Sequence, residues 1–190
     1  MATLTLELPP QKTQTAFNLR RWAELLADRE LAKVEGRIET DRHGHIIMSP
    51  PPAPSHGSFQ SEIGHLLRSL MDAGRVLTEC PISTADGVKA ADVAWASPER
   101  MRQLGEQVCF SRAPDICVEV MSPSNTLAEV QDKMAEYIAN GAQLGWLIDP
   151  FEARLYVYRP GQAVECLENP TTISGDPVLS GFVFNVAELW

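Results

Sequence analysis

Residues 115–124 of the chain read DICVEVMSPS, and this stretch decides the fold that we predict. Apart from Glu119, apolar residues fill positions 116 to 121, with Pro114 before them and a Ser-Pro-Ser turn after them. Such boundaries are typical of a short buried strand. An ionised glutamate inside a buried strand is costly without compensation, so we expect a cation beside the Glu119 carboxylate.

A second acid occurs in a similar setting upstream. Asp92 lies near the start of the apolar run 90–96, AADVAWA, which predicts another short strand. Two carboxylates on neighbouring strands suggest one site for a hard divalent cation. The helical segment 129–137 follows the Glu119 strand and carries Lys133. Asp92, Glu119 and Lys133 together indicate a metal-assisted phosphodiesterase.

Composition limits the classes of protein to consider. A chain of 190 residues with 44% hydrophobic residues is expected to form one domain around one core. The formal net charge of -9 and the pI near 4.9 oppose simple nucleic-acid binding, because backbone recognition rests on Lys and Arg. This argument does not decide the matter, since a metal site brings its own acids and basic residues can be gathered locally.

Cysteine usage and the N-terminus indicate the compartment. Four widely spaced cysteines without a C-x-x-C pair predict reduced thiols in the core; they are Cys80, Cys109, Cys117 and Cys166. Residues 1–10 do not have the pattern of a signal peptide, and we find no apolar window of membrane-spanning length. We therefore expect a soluble cytoplasmic protein.

The spacing of apolar residues predicts an α/β domain, residues 34–190, preceded by an N-terminal helical arm, residues 1–33. The predicted strands are 34–40, 45–48, 75–80, 91–96, 116–121, 144–149, 154–159 and 163–167. The predicted helices are about 16–33, 55–73, 98–103 and 126–139, the last capped by Ser124 or Asn125, with one turn after Asn185. The order of strand, helix and strand over 116–149 predicts a parallel crossover.

Several short motifs occur in a defined order along the chain. They are Arg37-Ile38-Glu39, Ile46-Ile47-Met48-Ser49-Pro50-Pro51, His56-Gly57, Ala91-Asp92-Val93-Ala94, residues 113–124, Lys133-Met134-Ala135-Glu136-Tyr137, residues 145–150 and Leu179-Ser180-Gly181-Phe182. Each motif is weak alone, but the ordered set is specific. The chain resembles the Uma-two endonuclease family, a branch of the PD-(D/E)XK restriction-endonuclease-like superfamily, over most of residues 34–190.

The resemblance implies a mixed sheet flanked by helices and a divalent cation, usually Mg²⁺, with Mn²⁺ as the alternative ion. The ligands that it implies are Asp92, Glu119 and the main-chain carbonyl of Val120. The wider superfamily has its lysine two residues after the second acid, and this chain has Met121 there. In the Uma-two branch a lysine of the following helix, here Lys133, takes over that role.

The resemblance also extends the site and names its partners. Glu39 matches an acid of the first hairpin of the family and is the fourth expected catalytic residue, while Tyr137 and Asp149 are candidates for supporting positions. The implied substrate is nucleic acid. A homo-oligomer, in the simplest case a homodimer, is expected from the superfamily and from the apolar N-terminal helix.

Two other interpretations use the same residues. Lys133 can neutralise Glu119 as a structural ion pair without a metal, which would suit a non-catalytic oligomeric scaffold that keeps the fold. The histidines do not have zinc spacing, since His43 and His45 flank a turn glycine. His56 has a counterpart at a helix start in the family, although helix capping explains it equally well. The chain has neither a G-x-S-x-G elbow nor a phosphate-binding glycine loop.

Overall fold

The structure is a computed structural model that describes residues 11–69, 73–187 and 190. Its helices are α1 (Gln11–Ala27), α2 (Pro54–Ser69), α3 (Pro98–Leu104) and α4 (Leu127–Ala139), and a short 3-10 helix, Leu31–Lys33, follows α1. Its strands are β1 (Arg37–Thr40), β2 (Ile46–Ser49), β3 (Arg75–Thr84), β4 (Gly87–Ala96), β5 (Ile116–Val120), β6 (Leu144–Asp149), β7 (Arg154–Tyr158), β8 (Glu165–Glu168), β9 (Thr172–Ser174) and β10 (Val183–Asn185). The first ten residues of the predicted N-terminal arm lie outside the described residues.

The centre of the fold is a six-stranded sheet in the order β3-β4-β5-β6-β7-β8. Only β5 and β6 are parallel within it, and α4 connects them, whereas the other neighbouring pairs are antiparallel. The predicted strand, helix and strand crossover is therefore confirmed. The mixed α/β sheet flanked by helices is confirmed with it.

The core lies on both faces of this sheet. On one face, Leu67 of α2 packs with Val118 and Trp146. On the other face, Met134 of α4 packs with Cys117. All residues of β5 and β6 are buried, which explains why these strands appear in the sequence as continuous apolar runs rather than as alternating patterns.

Helix α4 begins with a capping box. The Thr126 side chain accepts a hydrogen bond from the main-chain N of Glu129, and the Glu129 carboxylate accepts from Thr126 N at 2.8 Å. The predicted helix 126–139 is confirmed, but its cap is Thr126 and not Ser124 or Asn125, because only Thr126 has the capping-box partner three residues later. Gly141, with a φ of +100°, ends the helix in a conformation that favours glycine.

The predicted hairpin is the small separate sheet of β1 and β2. It is held against β4, since Val88 N donates to Thr40 Oγ1 at 2.9 Å and Ala90 N donates to Glu39 Oε1 at 2.9 Å. Edge strand β2 is exposed along its whole length and carries apolar side chains at 46–48. Strand β1 therefore lies between this exposed strand and the central sheet.

Helix α1 packs on the β3–β4 hairpin. Trp22 and Leu25 are buried in a small cluster with Val88 of β4. Buried Asn18 donates to the carbonyls of Thr84 and Gly87, at 2.9 Å and 3.0 Å, where the two strands meet. The division of the chain into an arm and a domain at residue 33 stays a prediction.

The described part of the chain has no helix both long enough and apolar enough to span a membrane.

The structure differs from the sequence prediction in the strands. β3 and β4 are longer than predicted, because the polar residues near their shared turn conceal the pattern. The short hairpin of β9 and β10 was not predicted. The predicted helical turn after Asn185 lies partly outside the described residues, which end at 187 before residue 190.

Cys166 is exposed on edge strand β8, so its assignment to the core was wrong, whereas the other three cysteines are free and buried.

Thiol labelling should separate Cys166 from the other three cysteines. Burial raises the pKa of the Cys109 thiol to about 12 and raises the pKa of Cys80 and Cys117 as well. Since the thiolate is the reactive form, a native chain should react rapidly at Cys166 alone. Cys166→Ser should leave the native protein almost unreactive towards a chromogenic disulfide and release the other three thiols on denaturation. Rapid labelling of native Cys166→Ser would contradict the described burial.

Candidate active site

Asp92 and Glu119 come from adjacent antiparallel strands of the central sheet. Val93 of β4 pairs with Val118 of β5, and continuing this register by one residue brings Asp92 opposite Glu119. Both side chains are buried. The main-chain N of Val120, whose carbonyl is the predicted third ligand, donates to Asp92 Oδ2 at 2.8 Å.

Helix α4 supplies the partners of Glu119. Lys133 Nζ lies 3.1 Å from Glu119 Oε1, and Tyr137 Oη donates to the same oxygen at 2.8 Å. The two side chains are four residues apart and so lie on one face of the helix. The crossover from β5 through α4 therefore returns the predicted lysine to the acid that precedes it in the chain.

Glu39 joins the same group from β1. Its Oε1 atom lies 2.8 Å from Lys133 Nζ, and Lys133 also donates to the carbonyl of Ala90 at 2.9 Å. All four side chains predicted to be catalytic, namely Glu39, Asp92, Glu119 and Lys133, thus belong to one connected cluster. Their catalytic roles stay predictions.

Arg37 is a member of the cluster that sequence reasoning did not single out. Its Nη1 donates to Asp92 Oδ1 at 2.6 Å, its Nη2 donates to Glu39 Oε1 at 3.1 Å, and its Nε lies 3.1 Å from Glu79 Oε2. Arg37 and Glu39 are two residues apart on β1, so both side chains point to one face. This alternation is a signal that could have identified Arg37.

Helix α2 adds two side chains on the far side of Asp92. His56, in the first turn, places Nε2 3.3 Å from Asp92 Oδ1, and Gln60, one turn later, donates to Glu79 Oε1 at 2.6 Å. The hydrogen bond with Asp92 raises the pKa of His56. His56 therefore contacts the cluster directly.

Glu79 has an unusual backbone conformation for a residue within a strand. Its φ of +49° lies in the left-handed region that non-glycine residues seldom adopt. The β3–β4 register sets Glu79 opposite Asp92, between the pairs Thr78–Val93 and Cys80–Ala91. Local strain of this kind is concentrated at functional sites. A backbone exception has no signature in the sequence, so Glu79 could not have been found there.

The two central acids have opposite electrostatic properties. Burial raises the pKa of Glu119 to about 7, although the Lys133 charge opposes the shift. Burial also acts to raise the pKa of Asp92, but the hydrogen bond with His56 and the charges of Arg37 and Lys133 hold it well below its ordinary value. Asp92 is thus a stabilised carboxylate, whereas the charge of Glu119 is only partly compensated.

The cluster has a surplus of negative charge. Glu39, Glu79, Asp92 and Glu119 contribute four negative charges when ionised, and Arg37 and Lys133 contribute two positive charges, so the sum is -2 with His56 neutral. Protonation of Glu119, whose pKa is about 7, or of His56, whose pKa is raised, removes part of this surplus.

Two predicted supporting residues have different positions. Tyr137 contacts Glu119, as described above. Asp149, at the end of β6, accepts hydrogen bonds from the main-chain N of Phe151 and of Glu152, at 3.0 Å and 3.2 Å. Asp149 therefore stabilises the β6–β7 turn.

Comparison with known proteins identifies the family. Residues 22–187 match the family model Uma2, described as "Putative restriction endonuclease". The chain belongs to the Uma2 family. A crystal structure from Anabaena variabilis ATCC 29413, described as that of a "putative nuclease belonging to DUF820", is similar to this Uma2 chain, with 28% identity and a TM-score of 0.70 over 85% of this chain and 95% of that one. No curated protein gives a significant match. The resemblance to the Uma-two family is confirmed, and family membership supports a nuclease function for this Uma2 protein.

Proposed function

We propose that this protein is a metal-dependent endonuclease that hydrolyses phosphodiester bonds in nucleic acid. The observation that carries the proposal is the convergence of buried Asp92 and Glu119 with partly buried Lys133 and Glu39 in one cluster with excess negative charge. These residues come from β1, β4, β5 and α4, and family membership points to the same chemistry.

The donor set fits Mg²⁺ or Mn²⁺. The described residues contain no group of three or more His, Cys, Asp and Glu side chains arranged to hold a metal ion. Magnesium suits this situation, since it is usually held by one or two carboxylates and keeps several waters. Asp92, Glu119 and the carbonyl of Val120 would hold the ion, whose charge would offset the surplus of -2. When bound, the ion would act as a Lewis acid and would lower the pKa of a bound water.

Lys133 and Glu39 have complementary parts in this proposal. The Lys133 ammonium group lies between Glu119 and Glu39, at 3.1 Å and 2.8 Å, and these two carboxylates raise its pKa against the opposing effect of burial. It therefore stays charged and can stabilise the negative charge that develops on a phosphoryl group. Glu39 orients the lysine and can accept a hydrogen bond from the attacking water.

A non-catalytic scaffold is the second candidate function, and one observation favours it. Each central acid already has a cation partner within the protein, Arg37 for Asp92 and Lys133 for Glu119. A protein that neutralises its acids in this way can keep the fold without binding a metal. In both functions a homo-oligomer and a cytoplasmic location remain part of the proposal.

The proposal is tested with a panel of single-stranded and double-stranded DNA and RNA substrates, each with Mg²⁺, Mn²⁺ or a chelator. A nuclease should cleave at least one substrate in the presence of a metal and none in the chelator. Calorimetric titration with Mn²⁺ in parallel distinguishes the two functions. A protein that neither cleaves nor binds Mn²⁺ would be a scaffold.

Lys133→Met should separate metal binding from chemistry. Removal of the ammonium group should lower the cleavage rate about 100-fold or more, because the developing charge loses a cation that would stabilise it. Mn²⁺ binding should persist, since both carboxylates remain. Lys33→Met is the matched control, because Lys33 is an exposed lysine that pairs only with exposed Glu30. Full activity of Lys133→Met would remove the lysine from the proposed mechanism.

A further inference from the structure

We propose that Arg37 is a built-in counterion of Asp92 that competes with a divalent cation for this carboxylate. The inference rests on the proposed metal site at Asp92 and Glu119. It makes Arg37 a positioning residue that sets the affinity of that site, and it gives Glu79 the part of receiving the displaced guanidinium group.

Both oxygens of Asp92 are already occupied. Oδ1 accepts from Arg37 Nη1 at 2.6 Å and has His56 Nε2 at 3.3 Å and Gln60 Nε2 at 3.5 Å, whereas Oδ2 accepts from Val120 N at 2.8 Å. A cation that coordinates Asp92 through Oδ1 must therefore compete with the Arg37 guanidinium group, which makes the shortest contact to that oxygen. The Val120 N–H belongs to the backbone of the central sheet, whereas the Arg37 guanidinium group is at the end of a flexible side chain. Arg37 is the donor that can move.

The guanidinium group has other acceptors within reach. Its Nη2 already donates to Glu39 at 3.1 Å, and its Nε lies 3.1 Å from Glu79. A small rotation away from Asp92 would therefore keep two ion pairs while it removes the shortest contact to Oδ1. Such a move costs far less than transfer of the guanidinium group into an apolar environment, because the charge remains paired throughout.

Glu79 is held in place for this role. Gln60 Nε2 donates to Glu79 Oε1 at 2.6 Å and leaves Oε2 for Arg37. The side chain of Glu79 is 41% exposed, while that of Asp92 is 1% exposed. Arg37 thus lies between a buried carboxylate and an accessible one. The strained backbone conformation of Glu79 fixes that residue beside the site.

His56 is the other cationic candidate at Asp92, and it fits this role less well. Its Nε2 lies 3.3 Å from Oδ1, farther than Arg37, and a histidine can approach the oxygen as a neutral donor. Arginine is always charged and presents several donors in a rigid fork. We therefore expect Arg37, rather than His56, to compete with a divalent cation.

Calorimetric titration with Mn²⁺ tests the inference on the full chain. Arg37→Met removes the competing charge and should bind Mn²⁺ about tenfold more tightly than wild type, which corresponds to about 1.4 kcal/mol. Arg37→Lys restores a cation and should return the affinity towards that of wild type. A merely structural role for Arg37 predicts the opposite, since an acid cluster that has lost its organiser should bind the ion more weakly.

Glu79→Gln extends the test to the receiving residue. This variant should weaken Mn²⁺ binding several-fold in the wild-type background and have a much smaller effect in the Arg37→Met background, because Glu79 acts through Arg37. An equal effect in both backgrounds would overturn the part given to Glu79. Arg37→Gln provides a second neutral variant if Arg37→Met does not fold, as judged by thermal unfolding in chelator.

The outcomes separate this inference from the proposed function. If wild type binds Mn²⁺, Asp92→Asn does not, and Arg37→Met binds no more tightly than wild type, the role of Arg37 is wrong and the metal site stands. If neither wild type nor Arg37→Met binds Mn²⁺, both the proposed metal site and the proposed role of Arg37 are wrong. Tighter binding by Arg37→Met, reversed by Arg37→Lys, supports the inference.

Discussion

Glu119→Gln should abolish metal-dependent cleavage and at the same time make the folded protein more stable at neutral pH and above. The loss of activity, expected at about 1000-fold or more, follows from removal of a proposed metal ligand that carries negative charge. The gain in stability follows from burial, because the glutamine keeps the shape of the side chain and removes a charge that Lys133 compensates only in part.

The sign of the stability change follows from the pKa. Burial raises the pKa of Glu119 from its ordinary value of 4.5 to about 7, so the folded protein binds this proton more tightly than the unfolded chain does. The contribution of Glu119 to the free energy of unfolding therefore falls as the pH rises from 4.5 to about 7, and it stays lower above that range. The total effect is up to about 3 kcal/mol.

Chemical denaturation in chelator, at a series of pH values, measures this prediction. Wild type should lose stability between about pH 4.5 and 7 relative to Glu119→Gln, and the curves should run parallel above that window. Glu106→Gln is the matched control, because Glu106 is exposed. A Glu119→Gln protein that is less stable than wild type at every pH would show that the Lys133 pair outweighs the cost of burial.

Asp92→Asn should also abolish cleavage, but with the opposite effect on stability. Both carboxylate oxygens of Asp92 accept N–H donors, from Arg37 and from Val120. An asparagine has only one oxygen, so its NH₂ group must face one of these donors in either orientation. Removal of one partner of a buried ion pair costs about 3–5 kcal/mol.

The same denaturation experiment measures this second effect. Asp92→Asn should unfold at a lower denaturant concentration than wild type in chelator, while Asp132→Asn, a change at an exposed position on α4, should stay within about 0.5 kcal/mol. Cleavage by Asp92→Asn at the wild-type rate would remove this residue from the proposed site. Unchanged stability would show that Arg37 does not depend on the negative charge of Asp92.

Much of the fold could be predicted because it follows from local patterns. The continuous apolar runs of β5 and β6 and the amphipathic helix between them indicate a parallel crossover without any knowledge of the rest of the chain. Asp92 and Glu119 could be predicted for a related reason. A carboxylate within a buried strand is an exception to the pattern around it, and such exceptions are expected where a protein has a function.

The remaining part of the cluster could not be predicted because it depends on contacts between distant segments. The alternation on β1 places Arg37 on the same face as Glu39, but it does not show the contact with Asp92, which lies 55 residues away in the sequence. Glu79 depends on a backbone conformation that its residue type does not favour. Cys166 was assigned to the core because the sequence does not show that β8 is an edge strand.

The separation of the cluster along the chain also gives an order in time. During synthesis, Arg37 and Glu39 leave the ribosome first, and Asp92 and Glu119 follow. Lys133 comes last, and α4 must form before it reaches Glu119, so the newly made acids face one another without their second cation until the crossover is complete. The four acids of the cluster are therefore balanced by Arg37 alone until Lys133 reaches them.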